Sequence, residues 1–216
     1  MNEQHHSLFG LNALLGTLGL APLSAAEEVQ FNSYLDLLMK WNARMNLTAV
    51  RSRAEILRTH FVECIACARA VPQEVHSLLD LGSGAGFPGI PISICRPEIA
   101  VMLVESQTKK AAFLHEAVRS LGIGAKVLAC RAETITAKFD CVTLRAVDRM
   151  SIAAATGARL LQNGGWLVAL TTRTSMEEVQ KAAGPVLKPE WIQIDLPGSE
   201  QRLLLMAQAA ATTSAI

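Results

Sequence analysis

One segment, residues 78–91 with the sequence LLDLGSGAGFPGIP, constrains the fold of this chain more than any other. An apolar run leads into Gly82, Gly84 and Gly86, and Pro91 would fall in the first turn of a following helix, where proline is tolerated. Glycines at this spacing let the backbone turn sharply and approach a ligand closely. The free amides at the helix start add donors and a positive dipole end. The segment therefore predicts a buried strand, a ligand-binding loop and a short helix.

Short apolar runs alternate with helical stretches from Ser77 onward, which is typical of βαβ units and a parallel sheet. Helices are predicted between the first five strands, whereas the last two strands, joined through residues 197–199, should form an antiparallel hairpin. The predicted strands are 77–81, 100–105, 125–130, 139–144, 165–171, 190–195 and 202–207. The expected fold class is α/β, a seven-stranded, mostly parallel, Rossmann-like sheet.

A helical cap is predicted before the first strand, over residues 1–74. A short helix over 7–19 precedes two longer helices, each of which begins with the pattern of a capping box: Ser24 with Glu27, and Ser52 with Glu55. The first of these two carries an apolar stripe at spacings of three and four: Phe31, Tyr34, Leu38, Trp41 and Met45. Residues 75–208 then form the sheet domain, and the tail, 209–216, is expected to be disordered.

The composition indicates one substantial core, because 50% of the 216 residues are hydrophobic. No apolar run approaches the roughly 18 to 20 residues that cross a bilayer, and the N-terminus lacks a signal-peptide pattern, so we expect a cytoplasmic protein without a membrane partner. The five cysteines are scattered through apolar stretches, which argues against a disulfide framework. Cys64 and Cys67 form one Cys-x-x-Cys without a second pair, and no metal site is predicted.

The glycine spacing distinguishes between two kinds of cofactor. A dinucleotide-binding loop has the pattern Gly-x-Gly-x-x-Gly, and its third glycine would fall at Phe87. The observed Gly-x-Gly-x-Gly is instead typical of class I methyltransferases that bind S-adenosylmethionine, a ligand without phosphate. Glu105, at the end of the second strand, can accept hydrogen bonds from both ribose hydroxyls, although a dehydrogenase would place an acid there too. Ala132 and Glu133 follow the third strand, where the adenine would lie, but a lone glutamate there is also typical of a surface charge.

Charge is nearly balanced over the whole chain, with a formal net charge of +1. A domain that binds nucleic acid through its whole surface is usually strongly basic, so any RNA contact must be local. Residues 40–60 carry a local excess, with Glu55 against five basic residues: Lys40, Arg44, Arg51, Arg53 and Arg58. A solvated helix face and an RNA-binding surface both explain this cluster, and charge alone favours the solvated face.

Four stretches together resemble one protein family: residues 34–50, YLDLLMKWNARMNLTAV; His60 with Phe61; residues 79–98, LDLGSGAGFPGIPISICRPE; and residues 139–147, FDCVTLRAV. Over roughly residues 20–207 the chain is similar to the glucose-inhibited division protein B family, bacterial methyltransferases of a guanine N7 in small-subunit ribosomal RNA. The resemblance implies S-adenosyl-L-methionine as cofactor, 16S ribosomal RNA as partner, free or within a small-subunit particle, and guanine 527 as the target. It also implies cofactor contacts at Gly82, Phe87, Ala132, Glu133 and Arg145, in addition to Gly84 and Glu105 from the motif itself.

The chain departs from the family pattern at two places. Glu63 and Cys64 stand where an aspartate and a serine commonly follow the histidine and phenylalanine, which keeps the charge and adds a methylene. Residues 171–173, Thr-Thr-Arg, replace a lysine and a glycine, so that Arg173 is the candidate for a cation nearby.

The chemistry of the implied reaction explains why no catalytic residue stands out. Guanine N7 carries an in-plane lone pair and needs no deprotonation before it attacks a methyl group. The chain lacks the asparagine-proline-proline-aromatic motif that grips exocyclic amines, and none of its cysteines lies in the motif of a nucleophile that activates a pyrimidine ring. Arg145 is a candidate for positioning the base, and equally for an ion pair that holds the end of the fourth strand.

Three other functions stay open at this level. A small-molecule methyltransferase on the same fold should have a closed, aromatic-lined lid in place of a basic cap, and a nicotinamide dehydrogenase is disfavoured by Phe87. A cofactor-binding regulator without turnover is distinguished only by an activity assay. No obligate protein partner is evident, and we expect a monomer.

Overall fold

The computed structural model of the protein describes residues 8–145 and 149–210. Its strands form one seven-stranded sheet in the order β3-β2-β1-β4-β5-β7-β6. They are β1 (Ser77–Leu81), β2 (Ala100–Val104), β3 (Lys126–Leu128), β4 (Phe139–Arg145), β5 (Leu161–Thr172), β6 (Ile192–Asp195) and β7 (Arg202–Gln208). Neighbours among β1 to β5 are parallel, whereas β7 is antiparallel to both β5 and β6. The mostly parallel sheet with an antiparallel C-terminal hairpin is therefore confirmed.

Helices cover both faces of this sheet. They are α5 (Gly89–Cys95), α6 (Thr108–Leu121), α7 (Met150–Arg159) and α8 (Met176–Ala183). Successive side chains of a strand point to opposite faces. In β1, Leu78 packs in the cluster that contains Phe113 of α6, and Leu79 packs in the cluster that contains Val179 of α8. Burial on both faces explains why inner strands such as β1 and β7 are nearly continuous apolar runs in the sequence.

The N-terminal cap packs on the first of these two clusters. It consists of α1 (Leu8–Thr17), α2 (Ala25–Met45), α3 (Arg53–Ile56), one π-helical turn (Leu57–Phe61) and α4 (Val62–Ala70). The predicted stripe of α2 faces inward, with Phe31, Tyr34 and Leu38 buried and the Trp41 ring 5.7 Å from the Phe113 ring between centroids. The buried residues of the cap and of the sheet form one cluster. The cap therefore shares a hydrophobic core with the sheet.

Serine caps begin both long helical segments of the cap, as predicted. At Ser24 the capping box is complete, because the hydroxyl accepts from the Glu27 amide at 3.3 Å and the Glu27 carboxylate accepts from the Ser24 amide at 2.7 Å. At Ser52 the hydroxyl accepts from the Glu55 amide at 3.1 Å, which is one half of such a box. A serine cap stabilises a helix by typically about 1 kcal/mol.

The connection between β3 and β4 differs from the sequence-based prediction of a helix. A single 3-10 turn, Ala132–Thr134, lies there, and β3 itself is shorter than the predicted 125–130. None of residues 129–138 is fully buried, although Cys130, Ala132 and Ile135 pack partly against the core. The three consecutive β-branched residues 134–136 disfavour a helix here. As an edge strand, β3 is paired only with β2, over three residues.

The chain stays paired slightly beyond the predicted end of the sheet domain. The amide of Ala209 donates to the Gly165 carbonyl at 2.7 Å, and that of Ala210 donates to the Val186 carbonyl at 3.1 Å. The rest of the predicted tail, the first seven residues of the predicted cap and residues 146–147 of the FDCVTLRAV stretch lie outside the described residues. No helix in the described part of the chain is both long and apolar enough to span a membrane.

Candidate functional site

A cleft of about 850 Å³ opens at the edge of the sheet where the parallel strands end. Open α/β sheets bind ligands at this edge, because strand ends and helix starts meet there. Two parts of its lining come from different regions of the chain. The first, the glycine wall, comprises Gly82, Ser83, Gly84, Ala85, Phe87 and Glu105. The second, the cap wall, comprises Leu47, Thr48, Ala49, Val50, His60 and Glu63. The two walls meet where the rings of His60 and Phe87 lie 4.9 Å apart between centroids.

The glycines of the loop that follows β1, the glycine loop, have two separate roles. Gly84 and Gly86 have φ of 56° and 93°, a region that residues with a side chain rarely adopt. A Cβ on Gly86 would lie 2.4 Å from Ile90 Cδ1 and 2.9 Å from Tyr34 Oη, whereas a Cβ on Gly84 would meet only the Gly82 carbonyl, at 3.8 Å. Gly86 is required by internal packing. Gly84 leaves open space on the cleft, which fits a ligand that approaches the backbone closely.

Glu105 follows β2 directly and reaches back to the glycine wall. Its side chain is buried, and its carboxylate accepts from the amide of Gly84 at 3.0 Å and from that of Gln107 at 2.7 Å. It therefore fixes the loop at the glycine that faces the open space. Each carboxylate oxygen has a second lone pair, so Glu105 keeps acceptor capacity for ribose hydroxyls.

Asp80 supports the same loop from below, a role that the sequence analysis did not assign. The Thr143 hydroxyl donates to Asp80 Oδ1 at 2.9 Å, and the Gly89 amide donates to Oδ2 at 3.2 Å. Complete burial raises the pKa of Asp80 to about 6, against the opposing effect of these hydrogen bonds. Asp80 thus joins β1, β4 and the first turn of α5 beneath the cleft. Its place in the LDLG stretch was the only available signal.

Tyr34 connects the cap to the glycine wall and was predicted only as part of an apolar stripe. Its hydroxyl donates to the Ala85 carbonyl at 2.5 Å, within the glycine loop. Its ring stacks on Phe61, with centroids 5.2 Å apart and planes at 8°, and lies 5.5 Å from the Phe87 ring. Periodicity identifies such a residue as buried, but it does not show which backbone group its hydroxyl meets.

Arg145, the last residue of β4, lies at the junction of the two walls. Its Nη2 donates to the Thr59 carbonyl at 2.8 Å and to Glu63 Oε2 at 3.0 Å. Its Cζ lies 5.4 Å from the centroid of the Phe87 ring. The ion pair that the sequence offered as one interpretation of Arg145 is present, and the same side chain lines the cleft.

Glu63 interacts with two guanidiniums, from the two strands that flank β5 in the sheet. Its side chain is 1% exposed, and Arg202, the first residue of β7, places Nη2 2.8 Å from Oε1 in an ion-pair contact without hydrogen-bond geometry. Arg145 contacts the other carboxylate oxygen. The sequence alone indicates no role for Arg202, because no local pattern links a residue of the last strand to a residue of the cap.

His60 lies on the π-helical turn, a rare form that occurs often at functional sites. Its Nδ1 is 3.0 Å from Arg145 Nη2, and its Nε2 is 2.9 Å from Thr48 Oγ1. Because an arginine only donates, Nδ1 accepts, and the ring proton is on Nε2. Burial, reinforced by the positive charge of Arg145, lowers the pKa of His60 to about 4. The imidazole is therefore neutral at pH 7.

Ala132 and Glu133 lie beside the main cleft and do not line it. They line a second cavity of about 140 Å³, together with Leu81, which immediately precedes Gly82 of the glycine wall, and residues of α7. Glu133 is exposed. The other predicted cofactor contacts, Gly82, Gly84, Phe87, Glu105 and Arg145, all line the main cleft.

The arginines of the basic cluster differ in their surroundings. Arg44 and Arg58 are exposed. Arg51 donates to the Asn42 carbonyl at 2.8 Å and contacts the Asn46 side chain, and Arg53 pairs with Asp36 at 2.6 Å. Arg51 is exposed as well, so three of the four arginines are exposed, and Arg51 and Arg53 are the two with these local partners.

Arg173, the candidate substitute for the family lysine, pairs with Asp195 and is absent from the cleft lining, whereas Thr172 before it does line the cleft. The cation at this side of the cleft is Arg202. Within the described residues, no group of His, Cys, Asp or Glu side chains is arranged to hold a metal ion. The five cysteines are free thiols.

The strand order, the glycine loop after β1 and the acid after β2 define a class I S-adenosylmethionine-dependent methyltransferase. The structure is similar to a predicted O-methyltransferase from Agrobacterium tumefaciens, with a TM-score of 0.59 and 18% identity over 71% of this chain and 82% of that one. It is also similar to a 16S rRNA N2 G1207 methyltransferase of T. thermophilus in complex with AdoMet and guanosine, with a TM-score of 0.54 and 16% identity over 68% and 38% of the two chains. Likeness at these identities shows the fold.

Sequence comparison gives the family within this class. Residues 27–204 match the family GidB, rRNA small subunit methyltransferase G. Relatives named ribosomal RNA small subunit methyltransferase G are 36% identical in Chloroflexus aggregans, over 89% of this chain and 86% of the relative, and 31% identical in Neisseria meningitidis, over 92% and 97%. The chain belongs to this family. The resemblance seen in the sequence is confirmed, S-adenosyl-L-methionine is the cofactor, and the nicotinamide alternative is excluded.

Proposed function

We propose that this protein transfers a methyl group from S-adenosylmethionine to N7 of a guanine in 16S ribosomal RNA, guanine 527 in the family pattern. Family membership supports ribosomal RNA as the substrate, because the relatives are named for that activity. The choice of N7 rests on the chemistry of the cleft. The protein would act in the cytoplasm as a monomer, on free RNA or on a small-subunit particle.

The observation that carries the N7 assignment is that the described carboxylates and imidazole of the cleft already have partners. Glu63 pairs with two guanidiniums, and Glu105 accepts from two backbone amides. His60 accepts from Arg145 and has its pKa lowered to about 4, which makes it a weak base at neutral pH. An exocyclic amine would need a proton acceptor during transfer, whereas N7 offers a lone pair directly.

Catalysis by this cleft would consist mainly of positioning. When bound, S-adenosylmethionine supplies an electrophilic methyl group on a sulfonium. Gly84 provides the space for the cofactor on the glycine wall, and Glu105 provides acceptors for its ribose hydroxyls. Arg145 and Phe87 present a planar cation and an aromatic ring at the junction of the walls, where they would orient the acceptor base. Holding both reactants in line can contribute about 7–11 kcal/mol to lowering the barrier.

Ala132 and Glu133 would contact the adenine end of the cofactor from the smaller cavity next to the glycine wall.

The RNA-binding surface of the cap would be formed by four arginines: Arg44, Arg51, Arg53 and Arg58. Because Arg51 and Arg53 have local partners, we assign the larger phosphate contribution to the exposed Arg44 and Arg58.

The substrate is tested on ribosomal RNA from a strain that lacks this protein. A methyl group should be missing from one guanine of 16S RNA, and the purified protein with S-adenosylmethionine should restore it. N7 methylation gives the base a fixed positive charge and labilises its glycosidic bond, so aniline should cleave the restored RNA at that guanine. Unchanged ribosomal RNA would favour a small-molecule substrate or a regulator without turnover.

The acceptor atom is tested separately by the pH dependence of the single-turnover rate. With neutral N7 as the nucleophile, the rate should be nearly flat across neutral pH, because no proton acceptor has to be deprotonated. A clear acid limb near neutrality that disappears when Glu63 or His60 is replaced would indicate proton abstraction from an amine and would overturn the N7 assignment.

A further inference from the structure

The stretch WNARMNLTAV, residues 41–50, carries much of the family resemblance, yet cofactor binding uses none of it. In the structure α2 ends at Met45, and Asn46 follows with φ of 49° and ψ of 52°, a left-handed conformation that asparagine tolerates. The chain then turns, and residues 47–50 all line the cleft. The motif therefore builds the part of the cap wall that has no regular secondary structure.

Side-chain hydrogen bonds fix this short segment at both ends. Asn42, only 2% exposed, donates from Nδ2 to the Val50 carbonyl at 3.0 Å and accepts at Oδ1 from the Thr48 amide at 3.0 Å. The Thr48 hydroxyl accepts from the Val50 amide at 3.2 Å. Arg51 closes the turn by donating to the Asn42 carbonyl at 2.8 Å. Loops without such bonds are usually mobile, so this pattern indicates a segment held in one conformation.

Thr48 also connects the segment to the junction of the walls. Its hydroxyl meets His60 Nε2 at 2.9 Å, and the other nitrogen of that ring accepts from Arg145. The same helix α2 contacts the glycine loop through Tyr34, two turns before Asn42, or about 12 Å along the helix axis. One rigid helix thus contacts the cofactor side of the cleft and holds the cap side.

We propose that Asn42 and Thr48 are positioning residues that hold segment 47–50 as the surface against which the acceptor base is placed for methyl transfer. The proposal rests on the proposed function. Neither side chain needs to touch the cofactor. Their effect is on the alignment of the acceptor with the methyl group, and a displacement of about 1 Å in such a geometry can cost on the order of 100-fold in rate.

The test compares Thr48→Val with Thr48→Ser, because valine preserves the shape and removes the hydroxyl, whereas serine retains it. For Thr48→Val we expect the single-turnover rate at saturating RNA to fall by about 10- to 100-fold, with the Kd for S-adenosylmethionine within about 2-fold of wild type. Thr48→Ser should recover most of the rate. Glu105→Ala is the matched variant on the glycine wall, and it should do the reverse, weakening cofactor binding more than the rate at saturating cofactor.

Equal rates for Thr48→Val and wild type would overturn the proposal. A rate loss that Thr48→Ser does not recover, or one that is explained by weakened cofactor binding, would also overturn it.

A second measurement needs no RNA. Hydrogen exchange at the Thr48 and Val50 amides should accelerate in Thr48→Val and in Asn42→Ala, and unchanged exchange would also overturn the proposal. If the wild-type protein methylates no RNA, the proposed function fails, and the exchange measurement still decides whether these side chains hold the segment.

Discussion

The glycine wall and the cap wall line one cleft but are built in different ways. The glycine wall is formed largely by main chain at strand ends. Its shape depends on the absence of a side chain at Gly84, which faces the cleft, and at Gly86, which packs against Ile90 and Tyr34. The cap wall is formed by side chains whose partners come from other elements, such as Glu63 with Arg145 and Arg202. Adding atoms to the glycine wall should therefore prevent cofactor binding, whereas removing a partner residue should destabilise the cap wall.

The largest effect is expected from adding a side chain to the glycine wall. Gly84→Val should abolish S-adenosylmethionine binding, because the added atoms occupy the open space on the cleft, while the circular dichroism spectrum stays native. Left-handed strain of about 1–2 kcal/mol should lower the Tm by only a few degrees. Gly122→Val is the control, because Gly122 has a φ of 61°, has no atom near its Cβ position and is not part of the cleft lining. Binding should be measured by calorimetry, and a Gly84→Val protein that binds the cofactor normally would contradict this account of the glycine wall.

Removing the shared carboxylate should have the next largest effect, this time on folding. Glu63→Ala leaves Arg145 buried without its counter-charge, a change that typically costs about 3–5 kcal/mol. Thermal unfolding should show a drop in Tm of roughly 6 to 20 °C. In the control Glu116→Ala, which removes an exposed pair with Arg119, the Tm should not change. Similar Tm values for the two variants would mean that the ion pairs of Glu63 do not stabilise the junction of the two walls.

The neutral imidazole of the cap wall predicts a pH dependence of stability. The pKa of His60 is about 4 in the folded protein and has an ordinary value of 6.5, so the unfolded chain takes up this proton first as pH falls. The contribution of the neutral His60 ring to the free energy of unfolding is fully present above pH 6.5. It is lost progressively as pH falls from 6.5 to about 4, and the total loss is up to about 3 kcal/mol. Urea unfolding of wild type and His60→Gln at several pH values isolates this effect from the carboxylates. If the free energies of unfolding of wild type and His60→Gln change in parallel over this pH range, the pKa of His60 is not lowered by folding.

The smallest effect is expected on the outer face of the cap. Replacing the exposed Arg44 and Arg58 by alanine should lower the slope of log affinity against log salt by a little under ~1 unit for each lost phosphate contact. The double variant of Arg51 and Arg53 is the comparison, and it should change that slope less, because Arg51 donates to the Asn42 carbonyl and Arg53 pairs with Asp36. An unchanged slope on replacement of Arg44 and Arg58 would favour the interpretation of this cluster as a solvated helix face.

The sequence by itself determined the sheet, the cap helices and the glycine wall. These features depend on local rules: apolar runs of strand length, a stripe at helical spacing, serine caps, and glycines where the backbone has a positive φ. Each rule operates within about 15 residues, so it can be recognised without knowledge of the rest of the chain. The same rules did not predict that residues 129–138 would contain one 3-10 turn, Ala132–Thr134, in place of a helix.

Only the tertiary structure decided which side chains meet at the junction of the two walls. Glu63, Arg145 and Arg202 come from the cap, the fourth strand and the last strand, and they meet because β4 and β7 both lie beside β5 with Arg145 and Arg202 at the same edge of the sheet. The same packing buries His60 against Arg145 and fixes its proton on Nε2. Contacts of this kind depend on the relative placement of distant segments, which packing of the shared core sets and no local pattern encodes.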